Sequence, residues 1–399
     1  MSDYLYLLEN HLSEPQNRIA SALLEAASAA GLTLHLTGGA MRDLLGGVPT
    51  RHLDFTLSGN PVKLAALALA PLGAVAVRKD DLRKQYGYRF PNGLTAEIGM
   101  SRTEHYAKPG AKPHVTPSDI REDLLRRDFT VNAIALGLNR SAKGLLADPT
   151  NGLADLGSRE LRTTNGGAFA DRPIRMARLV RFKHRLQFAV AERTERQLEN
   201  AREAKLARFI LPADWFEELS ACGNETAQSA ILREWEALGI LEALGWNTAA
   251  VQRLEKLRAS VSFPGQGWRD GWGPLYLAMT EGLSGRDKLA MAAAWGITEE
   301  ATASLKRLQA QARKLEVAII APSVKRPSDL YRALRPFAPD EILYALNCST
   351  KRLAQDRIRT TLQKHLPLAL EMRGATEAEI VAALNAKPKK PEVELVSAD

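Results

Sequence analysis

The first residues that could do chemistry follow a strand-like segment that ends at Thr37. They are Gly38-Gly39-Ala40-Met41-Arg42-Asp43, the beginning of a short helix. Two glycines let the backbone approach a ligand closely, and the first turn of a helix offers free N–H groups to a phosphate. Arg42 could add two parallel hydrogen bonds to the same phosphate. The hexapeptide is a candidate phosphate-binding loop, although taken alone it slightly favours a plain tight turn.

Two carboxylates lie in the strand-like segments that come next. In His52 to Leu57 the residues alternate, so His52 and Asp54 share one face of the strand. Glu97 lies in a second alternating segment, Leu94 to Met100. Carboxylates that converge from adjacent strands can hold Mg²⁺ for phosphoryl or nucleotidyl transfer. Taken singly, each residue is better explained as part of a solvated strand face, and the metal site gains support only because both belong to a sheet that carries the candidate phosphate loop.

A third group of polar residues lies in the segment RRDFTVNA, residues 126–133. It follows a helix that a capping-box pattern predicts to begin at Thr116-Pro117-Ser118-Asp119. Arg127, Asp128 and Asn132 could together bind the ribose and the phosphates of a nucleotide. The alternative interpretation is a helix C-terminus, which favours cations on electrostatic grounds.

A fourth group is a run of arginines in the segment 171–182. They recur at every third position, which predicts one stripe along a helix: Arg172, Arg175, Arg178 and Arg181. Such a stripe could line a triphosphate or an RNA backbone. A solvated basic face is the alternative.

Composition agrees with a globular protein that has an anionic partner, without establishing one. The chain has 399 residues, 45% of them hydrophobic and 25% charged, a net charge of +8 and a pI near 9.4. Cys222 and Cys348 are the two cysteines, which excludes a disulfide framework and a cysteine zinc site and favours the cytoplasm. The sequence contains neither a signal peptide pattern nor an apolar stretch long enough to span a membrane.

The elements that must position these residues change in type along the chain. Residues up to about 140 alternate between strand-like and helical patterns, and Pro91-Asn92-Gly93 predicts a hairpin turn. From Asp148 onward strand patterns nearly vanish, and helical segments rich in Ala, Leu, Glu and Arg dominate. The last residues, 386–399, are rich in Pro and Lys and then polar, which predicts a disordered tail.

Taken in this order, the motifs resemble those of the class II tRNA nucleotidyltransferase and bacterial poly(A) polymerase family. GGxxRD stands at Gly38 to Asp43, and RRDFTxNA is intact at Arg126 to Ala133. The family's DPxxG…DL turn corresponds to Asp148 to Leu156, and SRTEHY at Ser101 to Tyr106 also fits. The resemblance covers residues from about 32 to 190.

The resemblance implies an α+β fold: a polymerase-β-like palm, built as a small mixed sheet with helices, followed by an all-helical neck, body and tail. The corresponding ranges are residues 1–140 for the palm, 141–220 for the neck, 221–385 for the body and tail, and 386–399 for the disordered tail. It also implies transfer of CMP or AMP from CTP or ATP to an RNA 3′ end, most simply that of tRNA, with two Mg²⁺ ions.

By position, the resemblance assigns the metal and catalytic roles to Asp54, Glu97 and the residue at 52. The nucleotide-binding residues that it implies are Gly38, Gly39, Arg42, Asp43, Arg127, Asp128, Asn132, Arg172, Arg175, Arg178 and Arg181. The sequence departs from the family at two of these positions. His52 stands where the family has the first Asp of its DxD motif, and Arg172 stands where the family has the Asp of EDxxR that reads the base.

Both departures change the expected chemistry. Imidazole is a poor ligand for Mg²⁺ but serves Mn²⁺, so the expected metal is Mg²⁺ with Mn²⁺ as the alternative. Arg172 has only hydrogen-bond donors and cannot accept from a base amino group. Three hypotheses follow. The chain is an active nucleotidyltransferase, a catalytically lapsed member that binds tRNA or other RNA, or a helical scaffold that binds neither nucleotide nor RNA. The first is favoured because the triphosphate-binding residues are retained as a set.

Overall fold

The computed structural model describes residues 4–50, 52–139, 142–243, 249, 251–253, 256, 272–372 and 374–386. Apart from Ala386, the predicted tail therefore lies outside the described residues. The chain divides into two compact units, one of residues 1–211 with 237–240 and one of residues 212–236 with 241–399. The fourfold division into palm, neck, body and tail stays a prediction.

A mixed sheet of seven strands forms the centre of the first unit. Its members, in chain order, are β1 (Leu34–Thr37), β2 (His52–Leu57), β3 (Val75–Asp80), β4 (Gln85–Arg89), β5 (Thr95–Met100), β8 (Ala135–Gly137) and β9 (Leu146–Ala147). They lie side by side in the order β3-β4-β5-β2-β1-β8-β9. Two further strand pairs are β6 (Arg102–His105) with β7 (His114–Pro117), and β10 (Glu160–Leu161) with β11 (Ala189–Val190).

The pairing of β2 with β5 brings the two predicted carboxylates together. These strands run parallel, with His52 opposite Thr95 and Asp54 opposite Glu97. A shift of one residue would turn each of these side chains to the other face. Leu53, fully buried in the core, fixes the register from the opposite face of the strand. The predicted hairpin turn is confirmed, because β4 and β5 pair in antiparallel orientation.

The helices of this unit provide several of the predicted residues: Gly38, Gly39, Arg42, Asp43, Arg175, Arg178 and Arg181. In chain order they are α1 (Tyr4–His11), α2 (Glu14–Ala29), α3 (Gly38–Leu45), α4 (Val62–Leu69), α5 (Ile120–Leu125), α6 (Gly152–Ser158), α7 (Ala168–Asp171), α8 (Ile174–Leu186) and α9 (Glu192–Glu203). On α2 the apolar face buries Ile19, Leu23 and Ala27, which are spaced about one helical turn apart. The core cluster includes these residues and the apolar residues of β1, β2 and β5.

Two local predictions are wrong. Thr116 and Pro117 lie on β7, and α5 begins later, with Asp119 as its N-cap accepting the Glu122 N–H at 2.9 Å. The arginine stripe is shorter than predicted, because Arg172 has an extended backbone and precedes α8. The cause is Pro173, since the residue before a proline is disfavoured in the helical conformation.

The described chain from residue 212 onward is helical. Its helices are Pro212–Gly223, Gln228–Ala237, Ile240–Ala243, Gly273–Met279, Gly285–Ala294, Glu299–Ile320, Pro327–Leu334, Pro339–Cys348, Arg352–Thr360, Leu366–Glu371 and Glu377–Asn385, with a π-helical turn at Thr361–His365. Trp215 and Trp235 are fully buried and meet edge to face, 5.7 Å between ring centres. Among the described residues, none of the helices combines the length and the apolarity that a membrane span needs.

Candidate functional site

The glycine pair lies where β1 turns into α3, directly against Asp54. Gly38 has a φ of +64°, and a Cβ placed on it would lie 2.9 Å from Asp54 Oδ2 and 3.2 Å from Arg127 Nη1. The Ala40 N–H donates to Asp54 Oδ2 at 3.2 Å. A glycine is needed at position 38 both for its left-handed backbone and for the space that its missing side chain leaves.

His52 is hydrogen-bonded on both sides of its ring. Its Nε2 lies 2.7 Å from Asp54 Oδ1, and its Nδ1 lies 2.8 Å from the Thr95 hydroxyl of the neighbouring strand. The negative charge of Asp54 raises the pKa of His52 to about 9. Burial alone would raise the pKa of Asp54, but His52 and the Ala40 N–H lower it to about 2. The two residues form an ion pair at neutral pH.

Glu97 is held by two side chains that the sequence analysis did not single out. Arg78 of β3 donates from Nη1 to Glu97 Oε2 at 3.1 Å, and Gln85 of β4 donates from Nε2 to Oε1. The order β3-β4-β5 explains both contacts, because it places Arg78 and Gln85 beside the Glu97 strand. No local sequence pattern encodes that order.

The three predicted metal ligands therefore lie on neighbouring strands without forming a metal site. Among the described residues, no group of three or more His, Cys, Asp or Glu side chains could hold a metal ion. Mg²⁺ requires several oxygen ligands in nearly octahedral geometry. In this arrangement His52 supplies a nitrogen already bound to Asp54, and Glu97 is bound to Arg78. The donor set does not fit a Mg²⁺ ion.

Arg127 links the strands to the segment RRDFTVNA. It donates to the fully buried Asp123 at 2.9 Å, to the Thr56 hydroxyl at 3.0 Å and to the Asn132 carbonyl at 3.3 Å. Asp123 belongs to α5 and also accepts from Arg126. Arg127 is thereby fixed beside Gly38.

Hydrogen bonds join five of the predicted residues in a continuous series. Together with the adjacent glycines and Arg127 they form a group that we call the cradle: Gly38, Gly39, Arg42, Asp43, Arg127, Asp128, Asn132 and Arg178. Arg42 donates to Asp43 at 2.6 Å and to Asn132 Oδ1 at 2.7 Å. Asn132 donates to Asp128 Oδ1 at 3.1 Å, and Arg178 donates from Nε to Asp128 Oδ2 at 2.9 Å. Burial opposes ionisation of Asp128, but Arg178 and Arg175 hold its pKa well below the usual range.

Two arginines of α8, Arg175 and Arg181, are packed inside the protein, so the predicted stripe is not a solvated face, although Arg178 is about a third exposed. Arg175 and Arg181 are only 5% and 4% exposed, and Arg175 donates to the carbonyl oxygens of Ala168 and Arg126. The Phe182 ring lies 5.3 Å from the Arg42 guanidinium, 5.5 Å from that of Arg178 and 4.6 Å from that of Arg181. Phe182 thus connects the cradle to the helix by cation–π contacts.

Arg172 lies beside a second charged group. Its positive charge helps to lower the pKa of Glu104, which also accepts from Arg102 at 2.8 Å and from Tyr106. Arg172 thus lies near β6, and its backbone is not helical as that of the α8 arginines is. The spacing of every third residue did not predict this difference.

His35 of β1 gives a prediction about stability and pH. Burial, only partly offset by nearby Asp123, lowers the pKa of His35 to about 4. The unfolded chain binds this proton near pH 6.5, so the free energy of unfolding falls as the pH drops from 6.5 towards 4. We expect His35→Gln to remove about 2 kcal/mol of the stability loss between pH 7 and 5, measured by urea unfolding. An unchanged loss in this variant, with exposed His114→Gln as control, would contradict the assignment.

Several known proteins are similar to this chain in sequence or in fold. Residues 34–162 match the family described as the Poly A polymerase head domain. The A-adding tRNA nucleotidyltransferase of Aquifex aeolicus is 32% identical over 248 residues, covering 58% of this chain and 28% of that protein. The CC-adding tRNA nucleotidyltransferase of Deinococcus radiodurans is 32% identical over 189 residues, covering 47% of this chain and 50% of that protein.

The chain thus spans half or less of the length of these two curated relatives. Among solved structures, a tRNA nucleotidyltransferase complexed with a primer tRNA and an incoming ATP analog superposes with a TM-score of 0.58. It is 24% identical and covers 87% of this chain and 99% of its own. This similarity confirms the α+β fold, with a head domain followed by helices.

Proposed function

We propose that the chain, whose residues 34–162 match the Poly A polymerase head domain, is a class II tRNA nucleotidyltransferase or poly(A) polymerase that binds CTP or ATP and transfers CMP or AMP to an RNA 3′ end. The proposed RNA is tRNA, since both curated relatives named above are tRNA nucleotidyltransferases. The helices beyond the head domain are the proposed RNA-binding part. Its cytoplasmic location stays a prediction from the low cysteine content.

The cradle is the observation that supports this function. Its side chains come from three separate segments of the chain, yet hydrogen bonds join Asp43, Arg42, Asn132, Asp128 and Arg178 in an unbroken series. Such pre-organisation reduces the entropy cost of fixing a ligand. A protein that used the fold only as a scaffold would not need this series beside the start of α3.

In the proposed reaction, each part of the cradle has a distinct task. The first turn of α3 and the guanidinium groups of Arg42 and Arg127 bind the triphosphate. Asp128 accepts hydrogen bonds from the ribose hydroxyls, and Asn132 donates to them. The RNA 3′ oxygen then bonds to the α-phosphorus while the bond to the β-phosphate oxygen breaks, and pyrophosphate leaves. The hydroxyl proton is released as this bond forms.

The residues at the expected metal site favour a second candidate function. Transfer in this family is generally metal-dependent, whereas Asp54 is paired with His52 and Glu97 with Arg78. This arrangement favours a lapsed family member that binds the nucleotide and an RNA 3′ end without joining them. The two functions share the cradle and differ only in the transfer step.

Primer extension separates the two functions. We would incubate the full chain with tRNA that lacks its 3′ CCA, with each labelled nucleoside triphosphate in turn and with Mg²⁺ or Mn²⁺, and resolve the products on a gel. For the active enzyme we expect extension by C, A or both. We also expect His52→Asp to increase Mg²⁺-dependent extension by at least tenfold, because it replaces a nitrogen with two carboxylate oxygens.

The same change at an exposed histidine, His114→Asp on β7, is the matched control. Retention of the tRNA in a salt-dependent binding assay without extension, by the wild type and by His52→Asp, would overturn the enzyme and leave the RNA-binding protein. Loss of both extension and binding would reject both functions.

A further inference from the structure

Both oxygens of the Asp54 carboxylate are bound by donors of the chain itself. His52 Nε2 lies 2.7 Å from Oδ1, and the Ala40 N–H donates to Oδ2 at 3.2 Å. The ring is also fixed from its other side, where Nδ1 lies 2.8 Å from the Thr95 hydroxyl. Both protonation states of the ring can make these two bonds: a neutral imidazole donates from Nε2–H and accepts at Nδ1, and a protonated one donates from both nitrogens. The geometry alone therefore holds the ring in place in either state.

Glu97 is bound in the same way by side chains from two other strands. Arg78 donates to Oε2 at 3.1 Å, and Gln85 donates to Oε1. The Glu97 side chain is 22% exposed and that of Arg78 is 35% exposed, so the pair lies at the rim of the site. Its charge is balanced by Arg78 without any added cation.

A divalent cation that binds the free protein would compete with these donors for the two carboxylates. To reach Asp54 Oδ1 at about 2.1 Å it must approach the His52 N–H, and to reach Glu97 it must approach the positively charged guanidinium of Arg78. The cation would gain two carboxylates and weaken or lose their present hydrogen bonds, including the one between the charged Arg78 and Glu97. Mg²⁺ also gives up its water reluctantly.

We infer that the free protein holds no divalent cation at Asp54 and Glu97, and that a nucleoside triphosphate binds to the cradle without one. His52, Arg78 and Gln85 provide the hydrogen bonds and the positive charge at the positions next to the carboxylates. A cation that takes part in transfer arrives on the triphosphate. This inference rests on the nucleotide-binding half of the proposed function and not on transfer.

Binding of Mn²⁺ to the protein alone tests the first part. Electron paramagnetic resonance of free Mn²⁺ would be recorded during titration with the full-length wild type and with His52→Asp. In the wild type we expect no Mn²⁺ binding that depends on Asp54. We expect His52→Asp to gain a new site and to bind Mn²⁺ at least tenfold more tightly than the wild type does. His114→Asp adds the same charge at an exposed position of β7 and should bind as the wild type does.

Nucleotide affinity tests the second part. Dissociation constants of CTP and ATP would be measured by calorimetry in EDTA and in excess Mg²⁺. For the nucleotide that the wild type binds better, we expect the dissociation constants in the two buffers to agree within about twofold. For His52→Asp we expect binding at least tenfold tighter with Mg²⁺, because the restored carboxylate ligates a cation that the triphosphate also binds.

Two results would overturn the inference. One is Mn²⁺ binding to the wild type that is lost in Asp54→Asn, and the other is a tenfold weaker wild-type affinity for nucleotide in EDTA. If His52→Asp does not fold, as judged by circular dichroism, His52→Ala removes the same donor and should still gain Mn²⁺ binding; no gain in either variant is also a refutation. If no nucleotide binds in either buffer, the proposed function fails, while the Mn²⁺ comparison still decides the cation site.

Discussion

Asp128→Asn should lower the free energy of unfolding by about 2–4 kcal/mol and weaken nucleotide binding at least tenfold. Asp128 is 8% exposed, and its carboxylate accepts hydrogen bonds from Arg178, Asn132 and the Phe129 N–H. Its charge balances Arg178 and the buried Arg175. Removal of one partner from a buried ion pair leaves the other charge uncompensated. Urea unfolding and calorimetric titration with CTP and ATP measure the two effects.

Asp119→Asn provides the matched control for this change. Asp119 is exposed and caps α5 through its hydrogen bond to the Glu122 N–H, a role that asparagine performs equally well. The control should therefore change the unfolding free energy by less than about 0.5 kcal/mol. Equal effects of the two substitutions would show that the Asp128 charge is not part of the cradle.

Gly38→Ala should lower nucleotide affinity by at least tenfold. Its effect on the free energy of unfolding should be smaller than that of Asp128→Asn. Alanine at a φ of +64° costs about 1–2 kcal/mol. Its methyl group would also lie 2.9 Å from Asp54 Oδ2 and 3.2 Å from Arg127 Nη1, so both side chains must move away from the start of α3. The triphosphate would then meet a displaced guanidinium and a wider loop.

Gly47→Ala isolates the contact from the backbone cost. Gly47 has a φ of +66°, and a Cβ there would meet no atom within 4 Å. We expect the two variants to lose similar stability from the left-handed backbone, but only Gly38→Ala to lose nucleotide affinity. If Gly47→Ala weakens binding as much, the effect at Gly38 is only a general loosening of the fold.

The elements that carry the site were predictable because each has a local cause. Alternation of apolar residues in His52–Leu57 marks a strand whose ends match the structure, and the glycine pair marks the turn into α3. These signals depend only on neighbouring residues, so they do not require knowledge of the tertiary fold. The position of Arg172 outside α8 had a local signal too, the proline that follows it.

The contacts around the carboxylates were not predictable in this way. Arg78 and Gln85 reach Glu97 because β4 lies between β3 and β5, and strand order is a property of the whole sheet. The cation–π contacts of Phe182 likewise depend on how α8 packs against α3. A list of motif residues identifies the groups of the site, while their partners come from segments that carry no motif.

The donors around Asp54 and Glu97 come from separate strands, and this determines how the site can change by mutation. A histidine codon becomes an aspartate codon by a single base change, so the contact from position 52 can be lost or regained in one mutational step. Arg78 and Gln85 lie on other strands and would persist after that step. A change from histidine to aspartate at position 52 would therefore release one carboxylate while the other stays bound to Arg78 and Gln85.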